Sequence, residues 1–517
     1  MMNAFLFILG FWLIVLAPLH VDAASDKPKR GGTLTLGISR EPVLMHPMIA
    51  TGSVERKVRE LMFESLLGVD ITGKIQPSLA ESWTISDNGR LYTFNLRRGV
   101  KFHDGREMTG EDVRYSALYA IDPKNGAYGQ SMLAPVERID TEGKYVVKIL
   151  LKKPSPPFLA SLTDIQPFAV VPKESLPVGV SKLERFPPGT GPFKVVEWQP
   201  GQRFLFERFA DYWGQKAFID RLVMRTIPDG AIRFTAVQTG DVDMIEFTPF
   251  EWVKQVSEGK IRGLHVVKAP YASFRRIVFN AAAPPFNNKK MRQAIAYAID
   301  KKELMDAGFF GFGEVVDQRY PAGYSWFIEG FPPQTRDLAK AAALLKEAGY
   351  KGEAISVNSY PGEYEPMITT LQAQLKKVGI NVKIEMMDFG AHRARIRSGD
   401  YTLNITGGNL ETDPYEAYGA NRRCESDLKR RRNNLSGHCD KEVEAWLDQA
   451  EQESDNNKRR AIFKQILQKH FEDVAEIYIG YAPRFFSMRD YVKGFNTSGD
   501  DVYRWWGGGM NHTWLDK

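Results

Sequence analysis

Residues 355–386 place the strongest constraint on what this chain can fold into. Ile355 to Val357 reads as a strand, and Met367, Leu371 and Leu375 follow at helical spacing until Gly379 stops them. Ile380, Val382, Ile384 and Met386 then alternate with polar residues, as a half-buried strand does. Strand, helix, strand in this order is a βαβ-like unit, which requires a parallel or mixed sheet and therefore an α/β fold. Two helices are expected ahead of it, over residues 287–299 (NNKKMRQAIAYAI) and 338–348. The second has Asp337 as N-cap and Gly349 just past its end. Arg393, Arg395 and Arg397 sit on a further helix at i, i+2, i+4, a spacing that cannot put all three on one face. A solvated face is expected there.

Before residue 281 the pattern is different. Residues 31–38 (GGTLTLGI) alternate like a first strand, and residues 53–68 carry a helical apolar pattern through Val54, Val58, Leu61, Met62 and Ser65. Turn signals then recur at Asp87-Asn88-Gly89, Arg98-Gly99 and Asp104-Gly105, with Tyr92 to Leu96 alternating between them. Pro154-Ser155-Pro156-Pro157 and Pro187-Pro188-Gly189 close this region. With 517 residues, two or three hydrophobic cores are expected. There is no internal repeat of fixed period.

Residues 4–19 (AFLFILGFWLIVLAPL) are almost wholly apolar and lead into Val21-Asp22-Ala23, with small residues at −3 and −1 of a cut after Ala23. That is the pattern of a secretory signal. Pro18, His20 and Asp22 stop the run short of the roughly 20 apolar residues a membrane span needs. The first three residues carry no Lys or Arg, which is unusual for such a signal. No cysteine follows as a lipid-attachment site, so the expected product is periplasmic and untethered.

Charge excludes one class of partner. Basic and acidic residues number 69 and 63, for a formal charge of +6, which argues against a dedicated nucleic-acid binder. Cys424 and Cys439 are the two cysteines, in one polar stretch (CESDLKRRRNNLSGHC). In an oxidising compartment they are expected to pair, and closing a loop of about 15 residues stabilises by roughly 3 kcal/mol. A metal site using His438 with both thiolates is the rival reading, and it lacks a fourth ligand at a recognisable spacing. The run Lys429-Arg430-Arg431-Arg432 reads as a solvated face of that loop.

No cofactor and no catalytic metal is expected. There is no GxxxxGK[ST], HExxH or GxSxG, and Gly308-Phe309-Phe310-Gly311-Phe312-Gly313 has the wrong order for a dinucleotide fingerprint. His103-Asp104 lies in a turn and reads as structural. Binding rather than turnover is the expectation, so the chain is not read as an enzyme.

Residues 63–116 (FESLLGVDITGKIQPSLAESWTISDNGRLYTFNLRRGVKFHDGREMTGEDVRYS) closely resemble the signature of the family 5 extracellular solute-binding proteins, the dipeptide-, oligopeptide- and nickel-binding components of ABC importers. The resemblance continues through Gly189-Thr190-Gly191-Pro192-Phe193, the stretch VVEWQPGQRFLFERFADYWG, residues 280–300 and DLAKAAALLKEAGY from Asp337. It implies a two-lobed α/β periplasmic binding protein fold, type II and cluster C-like, with an extra domain inserted in the first lobe. On that basis residues 24–60, 190–275 and 487–517 form lobe I, 61–189 the extra domain and 276–486 lobe II. Hinge segments are expected near residues 276–280 and 477–486. Trp83, Tyr92, Gly191 and Trp198 are expected to serve the fold rather than the ligand.

The function implied is capture of a short peptide between closing lobes, as a monomer, for delivery to the permease subunits of an ABC importer. A non-peptide ligand (an opine, a glycoside or a metal chelate) is the alternative, and a periplasmic enzyme or folding helper the remote one. Members hold a peptide backbone by strand addition. The matching segments are residues 36–42 (LGISREP) and 406–413 (TGGNLETD), giving Ser39, Glu41, Gly407, Gly408, Asn409, Glu411 and Asp413 as ligand-binding candidates, with Tyr271 beside them. An acidic residue of the second segment typically meets the peptide's amine. Asp413 is the nearest match and Glu411 the other candidate, yet Asp413-Pro414-Tyr415-Glu416 is equally a helix start. Gly407-Gly408-Asn409 stands where the resemblance implies a tryptophan, a departure that implies a different geometry at the ligand's end.

Overall fold

The computed structural model describes residues 27–41, 46–49, 53–130, 132–165, 168–178, 186–415, 418, 423–424, 434–497, 504–505 and 508–517. The signal-like residues 1–23 and the run 429–432 lie outside the described residues.

One large mixed sheet runs through the molecule. Its central strands, in order, are Val382–Met386, Ile355–Ser359, Leu403–Gly408, Leu264–Phe279, Glu476–Arg489, Met244–Ile245, Thr33–Ile38, Arg221–Thr226, Arg203–Arg208 and Phe193–Gln199. Strands Leu264–Phe279 and Glu476–Arg489, at 16 and 14 residues, are long enough to belong to both halves. They pair antiparallel, and their register shifts between Ala269 and Ser273, opposite Arg484 and Ala482. Both expected hinge segments lie within or beside this pair. The largest core to one side of it includes Ile277, Leu304, Leu371 and Ile405, and the largest to the other includes Leu34, Leu36, Leu222 and Phe486. Smaller clusters lie beside them, such as those of Phe234, Val237 and Ile245 and of Val443, Leu447 and Phe463.

The βαβ reading holds. Ile355–Ser359 and Val382–Met386 lie parallel, joined through helix Tyr364–Lys376, whose Met367, Ile368, Leu371 and Leu375 are buried. Gly379 follows it with φ +85°, a conformation glycine adopts without strain. Helix Leu338–Glu347 begins as read, with the Asp337 carboxylate accepting from the Lys340 N–H. The helical pattern read over residues 53–68 is cut short. The helix is Ser53–Met62, because Phe63 to Ser65 leave it for strand Leu67–Val69. Gly189 and Gly191 pass against the helix end so closely that a Cβ would lie 1.9 Å and 2.6 Å from the Met62 and Leu61 carbonyl oxygens.

Residues 61–189 hold a separate four-stranded antiparallel sheet, ordered Ala80–Ser86, Leu91–Leu96, Val146–Leu151, Val136–Glu142. Tyr92, Phe94 and Leu96 are its buried face, and the Tyr92 hydroxyl donates to the Ser155 carbonyl at 3.2 Å. His103 is structural, as expected. Its Nδ1 accepts from Gly189 N–H and its Nε2 lies 3.0 Å from the Gly191 carbonyl oxygen, fastening the glycine segment to this domain. Trp198 stacks on Phe204 at 5.4 Å. Cys424 and Cys439 form a disulfide, which removes both thiolates from any metal site with His438. Among the described residues no helix is long and apolar enough to cross a membrane.

Candidate functional site

Strand direction brings the two candidate segments together. Thr33–Ile38 runs parallel to Met244–Ile245, which pairs with Ser487 and Met488 of the second long strand, so both point their C-terminal ends at the crossing. On the other side Leu403–Gly408 pairs antiparallel with the first long strand, ending at Gly408 opposite Phe274. Ser39 and residues 407–411 therefore leave their strands toward the same junction. In open α/β sheets the crevice beyond the carboxyl ends of strands is where ligands bind.

On the lobe I side the junction is built around a buried ion pair. Glu246 is fully buried, and one of its oxygens accepts from both the backbone N–H and the hydroxyl of Ser39 at 2.9 Å each. The other takes the Lys57 ammonium. Burial pushes the Lys57 pKa down, and Glu246 opposes that. Lys57 also stands 4.1 Å from the ring centroid of Phe247, with the Arg484 guanidinium 5.3 Å from the same ring. Phe247 has φ +51°, an uncommon conformation for a bulky residue. Arg233 holds it there, donating to the carbonyls of Ile227, Pro228, Glu246 and Phe247 at 2.8–3.2 Å.

On the lobe II side Arg319, its side chain 3% exposed, is the organising residue. Its Nε donates to Glu411 at 2.8 Å, Nη2 binds the same carboxylate oxygen, and Nη2 also reaches the Asn409 carbonyl at 3.2 Å. The guanidinium lies 4.4 Å from the Phe274 ring centroid, and the Tyr320 hydroxyl donates to the Glu411 carbonyl. Desolvation works against the Arg319 charge, but Glu411 together with Tyr478, Tyr320 and Tyr418 outweighs it and drives the pKa upward. Phe274, Tyr478 and Tyr481 form a buried aromatic cluster behind it.

The two glycines of the segment are sterically required. A Cβ at Gly407 would lie 2.7 Å from the Tyr364 hydroxyl and 2.9 Å from Arg275, and one at Gly408 would lie 2.6 Å from the Phe274 ring. Arg275 is itself fixed, ion-paired to Glu363 at 2.7 Å and 5.2 Å from the ring centroids of Phe309 and Tyr364.

The structure does not bring all candidates to one place. Asp413 is 5% exposed, with both carboxylate oxygens on Arg459 at 2.8 Å, and it also caps the following turn by accepting from Tyr415 N–H. Glu41 faces away, accepting from the Gly201 N–H at 2.7 Å. Tyr271 lies in the first long strand, and its side chain is outside the described residues. Arg395 pairs with Glu385 while Arg393 and Arg397 are exposed, as a solvated face requires. A separate groove of about 600 Å³ runs between residues 323–329 and 457–464, where Arg460 is occupied by the Ser325 and Phe327 carbonyls.

Sequence reasoning missed Lys57, Glu246, Phe247, Phe274, Arg319 and Arg459. One signal was available. Lys57 falls three residues after Val54 and four before Leu61, so a lysine occupies the apolar stripe of its helix.

Residues 74–426 match the bacterial extracellular solute-binding proteins, family 5 Middle. The dipeptide-binding protein of Escherichia coli (strain K12) is 28% identical over 458 residues, covering 82% of this chain and 84% of the relative. Among solved structures, the binding protein AgaA in complex with agropinic acid, from A. tumefaciens R10, is 27% identical with a TM-score of 0.78, covering 94% of this chain and 99% of that one. The periplasmic binding protein DppA of Helicobacter pylori, in complex with the peptide STSA, is 25% identical with a TM-score of 0.79, covering 95% and 99%.

Proposed function

The chain belongs to the family 5 bacterial extracellular solute-binding proteins, and on that premise we propose that it captures a short peptide between two lobes and delivers it to an ABC importer. The observation that carries this reading is the convergence of strand ends at the crossing, where Ser39 and residues 407–411 approach from opposite lobes and an extended peptide could lie along the strand edges. Backbone recognition of this kind accepts many sequences, since every peptide presents the same N–H and C=O groups. The relatives and solved neighbours include dipeptide- and peptide-binding proteins, which supports the same class of ligand.

In this reading residues 24–60, 190–275 and 487–517 act as lobe I, 276–486 as lobe II, and 61–189 as the inserted domain. The hinge is read at residues 276–280 and 477–486, next to the irregular pairing at Ala269 and Ser273. Ser39, Gly407, Gly408, Asn409 and Glu411 line the ligand, Tyr271 stands beside them, Glu41 lies at the rim and Asp413 holds the segment in place. Residues 1–23 direct export, and the released protein works as a periplasmic monomer that binds without turnover.

A second reading keeps the transport role with a non-peptide ligand. The agropinic acid complex of AgaA supports it, as do the two glycines in the position of the usual tryptophan.

The test is mass spectrometry of ligand retained through native purification, with a thermal-shift screen of di- to pentapeptides, opines, glycosides and nickel chelates. A ligand at 100 times its Kd stabilises by about 2.7 kcal/mol, which the screen detects. Peptides retained and stabilising are the expected result. Stabilisation by an opine, glycoside or chelate with no response to any peptide rejects the leading reading for the second.

A further inference from the structure

The carboxylates on the loop beyond Gly408 are already neutralised. Glu411 gives one oxygen to two nitrogens of Arg319, whose side chain is 3% exposed against 28% for Glu411. A guanidinium so deeply placed needs a counter-charge, because a buried ion without its partner is strongly unfavourable. The Phe274 ring beneath it and the Asn409 carbonyl fix the guanidinium in position, and the Tyr320 hydroxyl fixes the Glu411 backbone. The pair is therefore built into the protein and is not assembled by the ligand. Asp413, the second acid of the loop, has both oxygens on Arg459. Across the junction Glu246 is fully buried between Ser39 and Lys57.

A ligand ammonium arriving at Glu411 meets a carboxylate whose charge is shared with a cation a few ångströms away. The attraction to the acid and the repulsion from the arginine largely cancel, both acting through the same poorly solvated surroundings. A free peptide amine thus gains little there over a blocked one.

We propose that Arg319 is a specificity-determining residue that cancels the amine-selecting charge of Glu411, so that the site takes peptides with a blocked amino end as readily as peptides with a free one. This rests on the reading that the ligand is a peptide. Hydrogen bonds to charged groups in binding sites are worth roughly 10- to 150-fold in Kd, which sets the scale of the selectivity given up.

The experiment presents the purified, ligand-stripped protein with a library of tri- to pentapeptides and with the same library N-acetylated, and reads the retained species by mass spectrometry. For the wild type, acetylated and free forms are expected to be retained within about threefold of each other. Arg319→Gln, which frees the Glu411 charge, is expected to favour free over acetylated forms by tenfold or more. The pair Arg319→Gln with Glu411→Gln removes both charges, guards against a variant that fails to fold, and is expected to show no preference between free and acetylated forms, whatever its overall affinity. Wild-type retention of free forms alone, or amine selectivity in the double variant, overturns the proposal while leaving peptide capture intact. Retention of neither library overturns peptide capture itself, and the proposal with it.

Discussion

Asp413 and Arg459 face each other through two parallel contacts of 2.8 Å, with the residues 5% and 1% exposed. Arg459 reaches this position from helix Asn456–Asp473, its Nε on the Ala450 carbonyl and its guanidinium near the rings of Trp326 and Phe463. The contact clamps the start of the loop after Glu411 to a helix that follows the disulfide. Arg459→Met leaves a buried carboxylate without its counter-charge and is expected to destabilise by about 3–5 kcal/mol. Adding Asp413→Leu to Arg459→Met is expected to recover much of that loss, because the unpaired charge is gone. Thermal and urea melts of the two variants check this. A single-variant loss below about 1 kcal/mol means the pair is not the clamp described.

Gly73 packs against Tyr324 across the molecule. The turn of the inserted domain is ordered by Asp70, which accepts from Thr72 N–H, Thr72 hydroxyl, Lys74 N–H and the Gln76 amide. Its Thr72 carbonyl accepts from Ser325 N–H at 2.9 Å, and a Cβ on Gly73 would lie 2.4 Å from the Tyr324 ring. Gly73 also has φ +75°, so a side chain there is strained twice over. Gly73→Val is expected to keep the inserted domain from seating on lobe II, raising the radius of gyration in X-ray scattering and speeding ligand release. Tyr324→Ala in the same chain removes the collision and is expected to restore part of the effect. Scattering identical to the wild type in Gly73→Val rejects a role for this contact in closure.

Much of this architecture was legible because it rests on local patterns. The alternation over residues 380–386, the N-cap at Asp337 and the glycine stop at 379 each depend on a few neighbouring residues. The pairing of Cys424 with Cys439 was legible from proximity and compartment. The site was only half legible. Gly407 and Gly408 could be placed on the segment that ends at the junction, but their cause, the Phe274 ring and the Arg275 guanidinium, comes from more than 130 residues away. The same is true of Arg319 for Glu411, at a separation of 92 residues. An acid in a loop reads as a free ligand contact until the arginine that consumes it is known. Asp413 shows the point, since the cap reading was available from Pro414 and the arginine 46 residues on was not.

Three histidines, His46, His103 and His392, make stability depend on pH in a defined direction, burial pushing each down from 6.5 to about 4. His46 and His392 are 0% and 1% exposed. Arg59 adds to the shift at His46, while Asn404, hydrogen-bonded to the His392 ring, works against it. All three folded values lie below the unfolded value, so the unfolded chain takes up protons first as pH falls. Stability is therefore full above about pH 6.5 and declines toward pH 4, by about 1.4 kcal/mol per unit for each histidine in that window. Melting temperatures across pH 7.5 to 4.5 check this, with His46→Gln and His392→Gln each expected to flatten the decline. A melting temperature constant between pH 6.5 and 4.5 contradicts the assignment.

Gly408 and Phe274 are a matched pair, the ring leaving no room for a side chain at 408. The Phe274 ring lies where a side chain at 408 would begin, 2.6 Å from an ideal Cβ, and the ring in turn supports Arg319 at 4.4 Å. Gly408→Trp in the wild-type background must displace a ring that is 1% exposed and is expected to cost at least the 1–3 kcal/mol of an overpacked core. Phe274→Ala alone opens a cavity and is expected to cost about 3–5 kcal/mol. Together the two changes exchange one aromatic for another across the strand pair, so their costs are expected to fall short of the sum by about 0.5–3 kcal/mol. The double variant also strips Arg319 of the ring beneath it, so ligand binding is expected to change even where stability recovers. A double-mutant cycle in urea, read beside the peptide screen, measures both effects. Additive costs would show that the glycine and the phenylalanine are independent.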